Sequence, residues 1–404
     1  MKSIQKVNLI LIMMTTFNCL VGREDHLDNV SPVGLSGDRG QLIQGDLSPS
    51  DALGLKIEGI RELIESARMT GSHAAHHEAE ARLEKLIMES DANAELLVLK
   101  AILLQHEHHF EEANEYIRLA LLHDSGNAQA WLTRYNIALV QGNYHEARFA
   151  AAALLNKLPM IVSITAIANV GSLTGKAEQS YRILSESLHA GSTKSEDKAI
   201  QVWVHTVCAE IASRLGRTAE AEEHFINAMS IKSPDHYLVH AYADFLLDQK
   251  RYYDAYAFLE ERQDTPDRRV RLALAQKVLR PGSLTVEQLH EIEDSILGHN
   301  ESHHHGGVGD HATHARPHVP LPPSRLAARY LLHLEGSVDE ALNVALQNWD
   351  IQREPRDAEV VLQAAMAANK PAAALPVIAW MQRWKVEDVR LDVLVDELGM
   401  QPQS

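Results

Sequence analysis

A period of 34 residues runs through the middle of this chain and constrains its fold more than any other property of the sequence. Ala94 to Asn127 and Ala128 to Ile161 are each one such unit: an apolar first helix, a polar turn, then a second helix that opens aromatic-x-x-Ala. In the first unit the marks are Leu97, Ala101 and Leu104, then Phe110-Glu111-Glu112-Ala113, Ile117 and Ala120. In the second they are Trp131 and Ala138, then Gly142-Asn143-Tyr144-His145-Glu146-Ala147, Ala151 and Pro159. Val202 to Asp235 repeats the scheme with Ala209, Ala212, Gly216, Ala221, Phe225, Ala228 and Pro234. His236 to Arg269 repeats it with Val239, Ala243, Leu246, Tyr252, Ala255 and Leu259. Between them, Val162 to Glu196 is degenerate: Gly175-Lys176-Ala177 and Leu184 fit a turn and second helix with the spacing one residue short. A later unit, Pro322 to Pro355, has Leu332, Gly336, Val338, Ala341 and Ala345, and helical stretches follow over Asp357–Asn369, Pro371–Trp384 and Glu387–Leu398. Two short helices cannot bury an apolar face alone, so units of this kind must stack. Small residues such as Ala101, Ala113, Ala209, Ala221, Ala243 and Ala255 let paired helices touch, and Trp131, Phe225 and Leu259 fill the gaps between pairs. Gly142, Gly216 and Gly336 supply the left-handed residue that ends a first helix.

Composition agrees. Hydrophobic residues are 45 % of the chain while aromatics are 5 %, so the apolar mass is largely Ala and Leu, which suits helix-on-helix contact. The Trp, the Gly-x-Tyr-x-x-Ala turn and the closing Pro of the second unit resemble the tetratricopeptide repeat family. The C-terminal words Arg325-Leu326-Ala327-Ala328-Arg329-Tyr330, Asn348-Trp349-Asp350-Ile351-Gln352-Arg353-Glu354-Pro355-Arg356-Asp357-Ala358 and Trp380-Met381 resemble exported, uncharacterised bacterial members of it. The resemblance covers roughly residues 90 to 400. It implies an all-α fold, a right-handed superhelical solenoid of helix pairs, here with a His-rich loop insertion.

The N-terminus reads as an export signal. Lys2 and Lys6 precede a largely apolar Val7 to Val21, and Gly22-Arg23-Glu24-Asp25 turns polar abruptly. The apolar stretch is too short, and too polar at Thr15, Thr16 and Asn18, for a membrane span. The expected location is therefore periplasmic or secreted, with no transmembrane span in the mature chain. Lipid anchoring at Cys19 is the weaker alternative, because Phe17 and Asn18 are not the small residues a lipoprotein signal places there. Cys208 is the one other cysteine, which excludes an internal disulfide framework, and it reads as a small core residue. The expected organisation is a signal at 1–22, a Gly/Ser/Pro/Asp-rich disordered tether at 23–49, an N-terminal helical pair at 50–92 and a repeat array at 93–280. A helix with the His-rich insertion follows at 281–323, then C-terminal repeat-like helices and a cap at 324–404.

A formal charge of −17 argues against nucleic acid as a partner. Histidine is the compositional outlier, at 23 residues. The densest segment carries His299, His303, His304, His305, His311, His314 and His318 among glycines and prolines, a mobile display of imidazoles able to hold Zn²⁺, Ni²⁺ or Cu²⁺ with little selectivity. Weaker candidates are His73, His76 and His77 beside Glu80, and His106, His108 and His109 at the turn of the first unit; solvated histidines are expected at such positions. No His-Glu-x-x-His, phosphate-cradling loop or Gly-x-Ser-x-Gly occurs, so no enzyme motif and no dedicated cofactor are expected.

The resemblance implies a concave groove lined by the first helix of each pair. In this sequence its positions would include Val98, Ile102, Gln129, Leu132, Asn136, Trp203, Thr206, Glu210, Tyr237, His240 and Asp244. Trp203 and Tyr237 either anchor a peptide there or pack between repeats. Glu210 and Asp244 put acid where a carboxylate-gripping groove would want amide. The expectation is a non-catalytic scaffold that binds a protein or peptide in this groove; the alternative is a divalent-metal sequestration or delivery protein acting through the His-rich tract.

Overall fold

The computed structural model is an α solenoid. It describes residues 49–70, 72–89, 93–194, 196–297 and 321–400, and among these no strand is present. The export signal, Cys19, the tether up to Pro49 and the tract from His299 to His318 lie outside the described residues.

The helices form consecutive helix–turn–helix pairs. They are α1 (Pro49–Thr70) with α2 (His73–Glu89), α3 (Ala94–His106) with α4 (Phe110–His123), α5 (Ala128–Val140) with α6 (Tyr144–Ala153), and α7 (Met160–Ser172) with α8 (Ala177–His189). Next come α9 (Lys198–Arg214) with α10 (Thr218–Ile231), α11 (His236–Asp248) with α12 (Tyr252–Glu260), and α13 (Pro266–Leu279) with α14 (Val286–Leu297). After the undescribed segment, α15 (Arg325–Tyr330) runs through a π turn, Leu331–Glu335, and pairs with α16 (Val338–Ile351). Helix α17 (Pro355–Ala367), a 3₁₀ turn (Pro371–Ala374), α18 (Leu375–Trp384) and α19 (Val389–Glu397) complete the chain.

Local chemistry sets the starts. Asn93, Asn127, Asp197, Asp235, Thr265 and Ser324 each accept a hydrogen bond from a first-turn amide of the helix that follows, which satisfies donors a helix leaves open. The degenerate third unit forms a regular pair in spite of its spacing. The alanine of the aromatic-x-x-Ala word sits where the second helix crosses the first: Ala113, Ala147 and Ala255, with Ala177, Ala221 and Ala341 in the equivalent place, are all 0 % exposed. A methyl is what the crossing admits, and a larger side chain would force the helices apart.

Among the described residues, Gly142, Gly175, Gly216, Gly282 and Gly336 put a residue at positive φ in the turns of five pairs, and His108 and Lys250 do so in two others at φ 62° and 57°. Those two turns hold an L side chain where glycine is cheaper by about 1 kcal/mol, so a glycine rule finds only part of the turns.

The first helices stack on one another as an inner layer, α3 on α5, α7 on α9, α9 on α11 and α11 on α13. The C-terminal helices then fold back across the turns of the array. Gln352 meets the ring of His108 at 3.1 Å. The Arg353 amide donates to the carbonyl of Val140 at 2.8 Å, and Tyr144 Oη donates to the Arg353 carbonyl at 3.3 Å. The Ala177 amide donates to Glu387 Oε2 at 2.6 Å. Val389 lies over Gly216. Arg356 and Arg390 close on Asp248 at 2.7 and 3.1 Å. Five successive pairs are thus bridged by one C-terminal unit. At the other end, Arg68 of α1 forms an ion pair with Asp235, the N-cap of α11, so the array curls until its first helix touches its fifth unit.

Gly142 carries both constraints at once. Its φ is +69°, and a Cβ there would lie 3.0 Å from Arg353 Cβ. Gly142→Ala should destabilise the protein by about 2 kcal/mol, combining left-handed strain with a steric clash at the docked C-terminal unit. Chemical denaturation of the full chain would show it as a lower midpoint at unchanged slope. A neutral result would mean that the docking at this turn is loose.

Candidate functional site

Residues 203, 206, 207, 210 and 214 recur at intervals of three and four along α9, which puts them in one stripe. Tyr237, His240, Ala241 and Asp244 do the same on α11. Both stripes face inward, and the C-terminal helices lie opposite. Between them is a cavity of about 140 Å³, partly open to solvent. Asn136, Trp203, Thr206, Glu210, Tyr237, His240 and Asp244 line the repeat side; Arg325, Glu354, Pro355, Arg356 and Arg390 line the other.

The remaining groove positions read from sequence are elsewhere. Val98, Ile102 and Leu132 are core residues, 2 %, 2 % and 0 % exposed, and Gln129 is buried beside them. Their stripe turns toward the neighbouring helix pairs instead of the cavity, because α3 packs on α1, α2 and α5 at once. Trp203 is buried and packed into the core cluster. Tyr237 is half-buried and donates its hydroxyl to Glu210.

Charge dominates the walls. Arg271 is 2 % exposed. It donates to both oxygens of Asp244 at 3.0 and 2.8 Å and to Asp267 at 2.7 Å, and Arg329 adds 2.7 Å to Asp244. Burial alone would raise the Asp244 carboxyl, but Arg271 and then Arg329 hold it well below the usual range. Asp248 takes Arg356 and Arg390, and Asp388 takes Arg390 at 2.6 Å. Removing one member of such a buried set strands its partner and costs about 3–5 kcal/mol.

Arg214 stands apart. It is 6 % exposed. Its one hydrogen bond among the described residues runs from Nη2 to Ser172 Oγ at 2.6 Å, and its Nε has no partner. Burial lowers its proton affinity, and Asp388 and Glu210 only partly oppose that. Across the cavity Glu354 Oε2 is also buried without a partner, and burial followed by Asp357 pushes its carboxyl well above the usual range. Burial raises Glu210 as well.

The sequence reading named Asn136, Glu210 and Asp244 of this site but missed Glu354 and the cations. Arg214 had a readable signal: it lies four residues past Glu210 and in register with Trp203, on the same stripe of α9. Arg325, Arg356 and Arg390 had none, since only the long-range fold-back brings them here.

Histidines outside the undescribed tract are largely structural. His76 bonds Glu107 at 3.0 Å and stacks on His106 at 4.7 Å, with His109 3.5 Å from Glu107. A pair that sequence gave no hint of, His205 and His224, meets Nδ1 to Nδ1 at 3.1 Å. Among the described residues no group of three or more His, Cys, Asp or Glu is placed to hold a metal ion. Burial pushes the Cys208 thiol up to about 12, so it is no nucleophile at neutral pH. No helix among the described residues is long and apolar enough to cross a membrane.

No protein-family model matches the chain, and no curated protein is similar to it in sequence. Solved structures do align. PilF of Pseudomonas aeruginosa is 16 % identical with a TM-score of 0.38, over 60 % of this chain and 97 % of that one. A tetratricopeptide repeat protein from Parabacteroides merdae is 15 % identical with a TM-score of 0.39, over 59 % and 93 %. The tetratricopeptide domain of P58(IPK) is 11 % identical with a TM-score of 0.26, over 86 % and 97 %. At these values the alignments carry nothing about function.

The buried histidines fix a pH response. Burial, and then Arg271, pushes His240 down to about 3; burial pushes His108, His205 and His333 each down to about 4. All four stay neutral in the folded protein at pH values where the unfolded chain, titrating near 6.5, takes up protons. Unfolding is therefore favoured as pH falls from about 6.5 toward 4, on the order of 1 kcal/mol per pH unit for each group. Urea midpoints measured at several pH values should fall across that window, and His240→Gln should shallow the slope. A flat profile would show that these rings are solvated.

Proposed function

We propose that this protein is a non-catalytic helical-repeat scaffold of the bacterial envelope that holds a partner polypeptide at the inner wall of its array. The observation that supports the reading is the convergence of Asn136, Trp203, Thr206, Glu210, Tyr237, His240 and Asp244 on one cavity whose hydrogen-bonding groups exceed the partners the chain itself supplies. Its volume, about 140 Å³, is too small for a length of polypeptide. The partner is anchored by a single residue inserted between the repeats and the C-terminal helices, with the rest of its contacts on the rim. The envelope assignment rests on the basic, apolar and then polar succession of the first residues of the sequence. Nothing among the described residues favours the metal-carrier alternative over this one, and its His-rich tract lies outside them.

The test is chemical crosslinking in intact cells followed by recovery of the tagged full chain from the envelope fraction, compared with a Glu210→Gln/Tyr237→Phe double variant. A discrete polypeptide that crosslinks to the wild type and drops by about tenfold in the variant is expected, the loss of one buried hydrogen-bonded anchor being worth about that much. Equal recovery with both proteins, or none with either, would contradict the assignment of the partner to this wall.

A further inference from the structure

The strongest unexplained feature of the molecule is a pair of buried atoms without hydrogen-bond partners, Arg214 Nε and Glu354 Oε2, on two residues that line one cavity. A buried cation is costly unless it is fully paired, and Asp388 and Glu210 offset the burial of Arg214 only in part. The neighbouring carboxylates are engaged elsewhere, Asp244 by Arg271 and Arg329, Asp248 by Arg356 and Arg390, Asp388 by Arg390. What remains near Arg214 is Glu210, which accepts from Tyr237, and Glu354 itself. Leu139, Leu173, Trp203 and Val207 give the same cavity an apolar part of its lining.

We propose that this cavity binds a small free amino acid, its carboxylate on the Arg214 guanidinium, its ammonium toward Glu354 and its side chain on the apolar wall. Arg214 is the residue suited to the first contact, because a guanidinium offers paired donors to a carboxylate. Glu354, held neutral by burial in the free protein, accepts from the second by giving up its proton to solvent as the ammonium arrives. It opens α17 as its N-cap, so the C-terminal unit that closes the array also supplies half of the site. Size limits the ligand: about 140 Å³ matches the roughly 150 Å³ that encloses a benzene-sized molecule, so a ligand of about five to ten non-hydrogen atoms fits. A simple carboxylate satisfies only Arg214, and an amine only Glu354; the amino acid is the smallest common molecule that satisfies both.

The inference shares its cavity with the polypeptide reading, and the two can fail separately. It is tested on the purified full chain by calorimetric titration and thermal shift with the twenty amino acids singly, and with acetate, methylamine and inorganic phosphate. At least one amino acid should bind with a Kd of about 1 mM or tighter and raise the melting temperature. Arg214→Leu should abolish that binding. Glu354→Gln should weaken the amino acid at least about tenfold, the expected loss for one charge-assisted contact, and leave acetate unchanged. It also carries the test if Arg214→Leu does not fold. Absence of binding by any amino acid at about 10 mM, binding of phosphate or acetate alone, or amino-acid binding indifferent to both substitutions would overturn the proposal. A bound amino acid together with no crosslinked partner would overturn only the polypeptide reading.

Discussion

Docking of the C-terminal helices across the turns of five successive repeats is the contact on which the rest of this structure depends. A repeat array is held together by neighbours only, so nothing in its local packing fixes its curvature or closes its inner face. Here the residues from Gln352 to Val389 reach His108, Val140, Ala177, Gly216 and Asp248 in turn. That converts a one-dimensional stack into a closed body. The Arg68–Asp235 pair does the same from the other end.

The chemistry of this docking is mainly polar, and that has a consequence for the cavity. Arginines of the C-terminal helices pair with acids at the ends of the repeat helices, at Asp244 and Asp248. Such pairs give little net stability when buried, but they define one registry, because any other alignment strands charges. The cavity is what this registry leaves between the two walls. It is polar because both walls are, and Arg214 Nε and Glu354 Oε2 are left there without hydrogen-bond partners.

Much of the fold was legible from residues. The aromatic-x-x-Ala words located α4, α6 and α12, and Gly216 with Ala221 located α10, because a small residue is required wherever two helices cross, and that requirement is local. The glycine turns were legible for the same reason. The turns at His108 and Lys250 were not, since packing there overrides the intrinsic preference against positive φ. The inner face was half legible. Periodicity puts Trp203, Glu210, Tyr237 and Asp244 on inward stripes, but it cannot say which inward stripes stay accessible. Val98, Ile102 and Leu132 share the pattern and end in the core. The fold-back was invisible, because contacts between residues some two hundred positions apart, such as Tyr144 with Arg353 and Ala177 with Glu387, leave no periodic trace.

Hydrogen exchange at the Ala177 amide tests the closure most directly. Ala177 is the first residue of α8, a position whose N–H has no partner within its own helix. In this structure that N–H donates to Glu387 of the C-terminal unit. Exchange resolved to single amides in the full chain should find it protected together with the Arg353 amide, both opening with the docked helices as one event. Exchange of Ala177 at the rate of an unstructured peptide, while the interior amides of α8 stay protected, would contradict the account: the array would then be open and the cavity unformed.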